Sequence, residues 1–428
     1  MGWVVAITLV GALLLSVPVG IALGLASLAG LLFVSTDFLI VLPQKFLAGL
    51  DSFPLLAIPL FVLAGTLMSR GGFAQRIVEM ALVFVGRIRG GLGLVVIFST
   101  MLFSGISGSP SANTAAIGSV ALPEMRRKGY PPPFATALFA AAGGVSTLVP
   151  PAIDLIIIGV VANISIGGLF AAGIVPAIAN GVAVMLLAYV VSRKLELPLE
   201  PRAPLSEKLR VCARGVLPVL MVVIILGGIY GGIFTPTEAS AVAVVYGFIV
   251  SFFVYKDIEL ADLPGILLQT CSLTGVVLLV LGAASLFSFV LTFERIPHLL
   301  AAMITDHAPN KIVFLLMVHV IFLLLGMVMD ALPPIIVLMP ILVPAGVAFG
   351  IEPIHLGILV AANVGIGMIT PPVGICLYVS CSISETPLER VVRPLVPFLA
   401  ILITTLLLIS FVPIITLWLP TLLGYVGH

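Results

Sequence analysis

Two Pro-Pro pairs, each in the middle of an otherwise apolar stretch, constrain this chain more than any other feature. Val149-Pro150-Pro151 interrupts residues 131–164, and Thr370-Pro371-Pro372 interrupts residues 355–384. Proline removes a backbone donor and its ring collides with the preceding turn, so each segment is expected to break into two half-helices. Sliding the chain along itself by 221 residues superposes the two pairs. Without a gap, the same shift places Gly105 on Gly326, Pro123 on Pro344, Gly129 on Gly350, Pro132 on Pro353, Gly144 on Gly365 and Pro176 on Pro397. These residue types set special backbone geometry, so their coincidence at one offset predicts two structural repeats.

Composition says what solvent the repeats occupy. Of 428 residues, 61% are hydrophobic and 9% charged, and the mean hydropathy is +1.32. Soluble domains carry about 25% charged residues. The expected fold is therefore an all-α polytopic membrane protein. A spanning helix needs about 20 apolar residues, and segments 3–34, 53–70, 167–192, 213–234, 236–255, 271–293 and 394–424 qualify. Residues 91–126 and 311–347 instead hold paired short apolar runs, around Ser107-Gly108-Ser109-Pro110-Ser111 and Asp330-Ala331-Leu332-Pro333-Pro334. They read as re-entrant hairpins.

The same composition removes other classes. A net charge of +1 argues against a nucleic-acid partner. The first apolar stretch lacks a basic leader and exceeds the apolar core of a cleavable signal, about 7–15 residues. Cys212, Cys271, Cys376 and Cys381 form no C-x-x-C pair, which argues against a disulfide framework or metal site. No nucleotide-binding loop, HExxH, Ser/His/Asp or paired-carboxylate motif appears, so neither an enzyme nor an ATP-driven pump is expected from this chain alone.

Five crossings separate the hairpins: 131–164, 167–192, 213–234, 236–255 and 271–293. An odd number inverts the second repeat relative to the first. The positive-inside rule agrees. Arg87, Arg89, Arg126, Arg127 and Lys128 flank hairpin 1, Arg193, Lys194, Arg202, Lys208 and Arg210 follow residue 192, and Arg390 and Arg393 follow the second broken helix. All fall on one face, read as cytoplasmic. Arg295 and Lys311 are the exceptions.

Inverted repeats with broken helices place substrate and ion sites near the midplane, where backbone groups are freed. Carbonyl ends and hydroxyls suit a hard cation such as Na⁺, while N–H ends suit an anion. This selects Ser104, Ser107, Ser109, Ser111, Asn113, Thr114, Gly144, Ser146 and Thr147 in repeat 1. In repeat 2 it selects Gly326, Asp330, Asn363, Gly365, Gly367 and Thr370. The same glycines and hydroxyls would also serve close packing and bonds to their own helices. Asp330 and Asp154 can each cap the half-helix that follows. Symmetry supports no role for Asp154, since Ile375 takes its place in repeat 2. Thr235-Pro236-Thr237-Glu238 reads as a capping box, and His319, with no His partner at ligand spacing, as a residue that packs or meets an interface. No Arg or Lys sits at either tip, so an anionic cargo is expected to lean on half-helix N-termini, hydroxyls and a bound Na⁺.

These residues carry a resemblance. Phe103-Ser104-Gly105-Ile106-Ser107-Gly108-Ser109, continuing through Ala115-Ala116-Ile117-Gly118, resembles the first hairpin of the large membrane subunit of TRAP (tripartite ATP-independent periplasmic) transporters. Ala141-Ala142-Gly143-Gly144 with Val149-Pro150-Pro151 is similar to its first broken helix. Gly326-Met327-Val328-Met329-Asp330 and Gly367-Met368-Ile369-Thr370-Pro371-Pro372-Val373-Gly374 resemble its second hairpin and second broken helix. The resemblance covers essentially the whole chain, with Pro110 and Ser111 as variations at the first tip.

The resemblance implies a Na⁺-driven elevator carrier of a small organic acid in the bacterial inner membrane. Its partners would be a small membrane subunit, not fused to this chain, and a periplasmic solute-binding protein. The implied Na⁺ sites fall on Ser104, Ser107, Gly144 and Thr147, and on Gly326, Gly367 and Thr370. Ser109, Ser111, Asn113, Asp330 and Asn363 are left for the cargo. The implied division is scaffold and an interfacial arm at 1–90, transport elements at 91–165, scaffold, cytoplasmic loop and second arm at 166–310, transport elements at 311–386, and a scaffold helix at 387–428. The arms are 74–89 and 295–306. A stand-alone Na⁺/carboxylate symporter, needing no binding protein, is the alternative.

Overall fold

A computed structural model of the chain describes residues 1–86, 88–198, 204–294 and 310–426. The second arm, 295–306, and Arg87, Arg202 and Arg295 lie outside the described residues. The described residues form helices and turns, with no strand. Seven of the helices among them are long and apolar enough to cross a membrane.

The first apolar stretch is two helices, not one. α1 (Gly2–Leu14) and α2 (Val19–Val34) pack on each other, with Val5 and Met1 facing Gly30. The break has a local cause: Ser16 takes a left-handed φ of 60° and Pro18 has no N–H to continue the ladder. At 13 and 16 residues, each falls short of the roughly 30 Å apolar core of a bilayer. The next segment forms a 3₁₀ turn, Thr36–Ile40, and α3 (Val41–Ala48).

α4 (Ala57–Arg70) follows a 3₁₀ turn at Phe53–Leu56. The first arm is one helix, α5 (Phe73–Val85), whose buried stripe includes Phe73, Ile77, Val78 and Ala81. Its Arg76 pairs with Asp257. Hairpin 1 is α6 (Gly91–Ser107) and α7 (Pro110–Arg127), joined through Gly108 at φ 64°. The first broken helix is α8 (Pro132–Ser146) and α9 (Ile153–Ala162), and α10 (Ile166–Lys194) follows.

α11 (Leu205–Tyr230) leads to α12 (Pro236–Ile249), extended by one π turn, Val250–Tyr255. The capping box forms: the Thr235 hydroxyl accepts from the Glu238 N–H, and the Glu238 carboxylate accepts from the Thr235 N–H at 2.8 Å. α13 (Leu263–Phe293) begins eight residues before the span expected at 271. Its first turns carry Gln269, Thr270 and Ser272, which hide the helix from a purely apolar reading.

Hairpin 2 is α14 (Lys311–Val328) and α15 (Leu332–Ala348). By length and composition, the 18 residues of α14 suffice to cross a membrane, which the expectation of two short runs missed. The second broken helix is α16 (Pro353–Gly367) and α17 (Ile375–Ser384). The expected C-terminal span divides at Pro413 into α18 (Leu388–Phe411) and α19 (Ile414–Leu422). Element bounds recur at the 221-residue shift: Pro132–Ser146 maps onto Pro353–Gly367, and Arg127 maps onto Ala348. The Pro150–Pro151 and Pro371–Pro372 peptide bonds are both cis.

Packing groups the helices differently from the expected division. α4 packs on α12 and α13, α2 on α13, and α11 on α5 and α12. α10 packs chiefly on α6, α18 and α19, and α18 chiefly on α8, α10 and α16. Helices α10 and α18, expected in the scaffold segments 166–310 and 387–428, therefore pack with the hairpins and broken helices.

Candidate functional site

Hairpin 1 is bound to the end of α8 by a buried polar network. The Ser104 hydroxyl donates to the Ser146 carbonyl at 2.7 Å, and the Ser107 hydroxyl donates to Asn113 Oδ1. Asn113 Nδ2 donates to Ser146 Oγ at 3.2 Å, and Ser146 donates to the Gly143 carbonyl. Thr147 donates to the Gly144 carbonyl at 2.9 Å, and Thr114 to the Pro110 carbonyl. Beyond the Pro pair, the Ile153 N–H donates to the Gly108 carbonyl at 3.1 Å. The tip and the break are thus one hydrogen-bonded unit. Each hydroxyl spends its proton and keeps lone pairs.

The second unit closes by backbone contact. A Cβ on Gly367 would lie 2.6 Å from the Gly326 Cα, and one on Gly326 would lie 2.9 Å from the Gly367 Cα. Any side chain at either position would separate α14 from α16. Past the break, the Val373 and Gly374 N–H groups both donate to the Met327 carbonyl at 3.2 Å. Thr370 donates to the Ile366 carbonyl at 2.6 Å. The Na⁺ residues expected from the resemblance thus fall into two compact oxygen-rich groups, one for each hairpin and break.

Both tips open into one cavity of about 420 Å³. Ser107, Ser109 and Ser111 line it from hairpin 1, Asp154 from the start of α9, and Asp330 from hairpin 2. The opposite wall comes from α4 (Thr66, Ser69, Arg70) and α13 (Gln269, Ser272). The Asp330 carboxylate accepts from the N–H of the adjacent Ala331 at 2.8 Å, and Ala331, not Asp330, is the N-cap residue of α15. Asp154 does not cap α9: Ala152 is the N-cap residue, and among the described residues Asp154 Oδ2 has no hydrogen-bond partner although the residue is only 4% exposed.

Two residues expected at the cargo lie elsewhere. Asn113 sits behind the tip in the Ser107–Ser146 network. Asn363 is committed to a different polar chain: its Nδ2 lies 2.9 Å from His319 Nδ1 and donates to the Leu359 carbonyl, while His319 Nε2 lies 2.8 Å from Ser410 Oγ. That chain joins α14, α16 and α18, which gives His319 its packing role. Arg70 and Gln269 were missed. Arg70 ends an apolar span, where a cation usually marks the membrane edge, and Gln269 precedes the apolar run of α13. Their Nη2–Oε1 contact of 3.4 Å places them together at the cavity wall.

A second cavity, of about 730 Å³, lies at the other ends of α4 and α9. Ser52, Phe53, Asn163, Thr235 and Tyr425 are among its lining residues. The two cavities therefore sit on either side of the layer formed by α4 and α9.

Comparison with known proteins agrees with this architecture. Residues 6–415 match the family model described as the tripartite ATP-independent periplasmic transporter, DctM component. The chain is 40% identical over 403 residues to the C4-dicarboxylate TRAP transporter large permease protein DctM of Pseudomonas aeruginosa, covering 94% of each. It is 38% identical over 416 residues to the sialic acid TRAP transporter large permease protein SiaM of Vibrio cholerae, covering 97% of each. The YdaH transporter of Alcanivorax borkumensis shares the fold, with a TM-score of 0.63 over 89% of each chain at 16% identity. The chain belongs to the DctM family of TRAP transporter large permeases.

Proposed function

We propose that this chain is the carrier subunit of a Na⁺-coupled system that takes up a small organic acid across the bacterial inner membrane by an elevator movement. The cavity at the junction of both hairpin tips, the first break and a separate helical wall carries the reading. It places a cargo between two bodies that can slide past each other, with a second cavity beyond the separating layer. Relatives named for C4-dicarboxylates and sialic acid support an organic acid.

The inverted-repeat topology has support from contacts. Arg126, at the base of hairpin 1, donates to the Ser384 carbonyl at the end of α17. Ile354, just beyond hairpin 2, faces Gly168 at the start of α10, beside the second cavity. The hairpins thus enter from opposite faces. With the basic loops cytoplasmic, the cavity walled by Arg70 and Gln269 opens inward.

Na⁺ fits the two oxygen-rich groups, which offer hydroxyls and carbonyls and no nitrogen or sulfur ligand. Ser104, Ser107, Thr147 and carbonyls near Gly144 would hold one ion. Thr370 and carbonyls near Gly326 and Gly367 would hold the other. Their charge would favour an anionic cargo between the tips. The moving body would comprise α6–α10 and α14–α19, and the scaffold α1–α5 and α11–α13. A small membrane subunit would grip that scaffold, and a periplasmic binding protein would deliver cargo. A stand-alone symporter is the second reading; co-purification of a small membrane protein with this chain would argue against it.

A tenfold Na⁺ gradient supplies about 1.4 kcal/mol per ion, and 100 mV adds about 2.3 kcal/mol per net charge. Two ions moving with a monoanion reach about 5 kcal/mol, or several-thousand-fold accumulation. Uptake into vesicles bearing the complete transporter should require a Na⁺ gradient and proceed without ATP. An undiminished rate in Na⁺-free, K⁺-loaded vesicles would overturn the coupling.

A further inference from the structure

The ionisable groups around the cavity point to a cargo class narrower than organic acids. Among the described residues that line the cavity stand one cation, Arg70, and two carboxylates, Asp154 and Asp330. Asp330 already accepts the Ala331 N–H. Asp154 is 4% exposed, and among the described residues its Oδ2 has no hydrogen-bond partner. An unpaired buried carboxyl oxygen is costly, and a hydrogen-bond donor arriving with the cargo would offset that cost. The carboxylates come from hairpin 2 and the first break, and Arg70 from the opposite wall. A bound molecule therefore meets acceptor oxygens on one side and a guanidinium on the other.

We propose that the cargo is a monocarboxylate bearing a hydroxyl or ammonium donor, with its carboxylate at Arg70 and its donor at Asp154. Arg70, held against Gln269, presents planar N–H groups suited to a carboxylate. A second cargo carboxylate on the far side would face Asp154 and Asp330, and like charges at short range disfavour one another. A cargo with no donor would leave Asp154 Oδ2 unpaired. This assignment rests on the organic-acid reading above and adds a group that the relatives' names do not specify.

Four six-carbon acids test it on one skeleton: hexanoate, 6-hydroxyhexanoate, 6-aminohexanoate and adipate. The purified full-length chain is titrated with each in Na⁺ buffer, and the rise in unfolding temperature gives the half-saturating concentration. The hydroxyl acid, the amino acid or both should bind at least about tenfold more tightly than hexanoate and adipate, the scale of one hydrogen bond to a charged group. Whichever binds identifies the donor. Asp154→Ala should bring hexanoate to within about threefold of the preferred acid, and Arg70→Gln should weaken all of them by about tenfold. If Asp154→Ala lowers the ligand-free unfolding temperature, Asp154→Asn takes its place and should lose the preference for an ammonium donor over hexanoate. Equal binding of all four acids, or preference for adipate, would overturn this inference and leave the organic-acid reading standing. Binding of none by the folded chain would overturn both.

Discussion

Gly144 of α8 and Gly365 of α16 cross with their backbones in contact. A Cβ on Gly365 would lie 2.5 Å from the Gly144 carbonyl oxygen and 2.3 Å from Thr147 Oγ1, and a Cβ on Gly144 would lie 2.8 Å from the Gly365 carbonyl oxygen. Residues at equivalent places in the two broken helices thus meet, and their separation fixes how closely the two oxygen-rich groups sit. Both side chains must be absent for the helices to approach so far.

Gly365→Ala should therefore force the broken helices apart. The expected cost is about 1–3 kcal/mol, the scale of an overpacked core, seen as a lower unfolding temperature of the purified chain. Gly275→Ala is the matched control, since nothing lies within 4 Å of a Cβ there. Equal stability of the two variants would show that the crossing can relax.

Thr370→Ala should weaken the dependence on Na⁺, while Thr421→Ala should not. Thr370 stands at the second break with its hydroxyl proton given to the Ile366 carbonyl, whereas Thr421 lies in the last short helix. Loss of one oxygen ligand is expected to raise the half-saturating Na⁺ concentration about tenfold. An unchanged Na⁺ titration of transport in the well-expressed variant would move the second ion site elsewhere.

His319→Ala should act on stability and not on ion affinity. The ring bridges Asn363 and Ser410 inside the protein, so truncation leaves a cavity and unpaired polar groups. A loss of about 2–4 kcal/mol is expected in thermal unfolding. A change in Na⁺ half-saturation at unaltered stability would instead place the imidazole at the ion path.

A cross-link between α6 and α11 should arrest the carrier. A Cβ on Gly105 would lie 3.2 Å from a Val222 methyl, so cysteines at both positions fall within reach of a disulfide. The background lacks Cys212, Cys271, Cys376 and Cys381. Both single-cysteine chains should transport, and the double variant should stop on oxidation and recover on reduction. Full transport through a verified cross-link would exclude sliding of hairpin 1 along the scaffold.

What residues dictate locally was legible in the sequence. The Pro pairs at 150–151 and 371–372 break their helices, Gly108 turns the first tip, and Thr235 and Glu238 cap α12, because each acts on backbone within a few positions. The repeat picked out the clusters at each tip and break, and the family resemblance the residues within them that form the two oxygen-rich groups. The break at Ser16 and Pro18 was local as well, but an unbroken apolar run concealed it.

Which helices share a face was decided only by the tertiary structure. Lipid-facing and protein-facing surfaces are equally apolar, so hydrophobic patterning does not encode a helix's neighbours in a membrane. For that reason α10 and α18 were expected with the scaffold yet pack with the broken helices. Arg70 and Gln269, 199 positions apart, become cavity neighbours only through the packing of α4 on α13. Asn363, at a sequence position equivalent to no tip residue, found its partner in His319. The sequence by itself determined where backbone groups are freed, because proline and glycine act on their own chain. The fold decided which charged groups face the resulting cavity, because that depends on contacts between segments far apart.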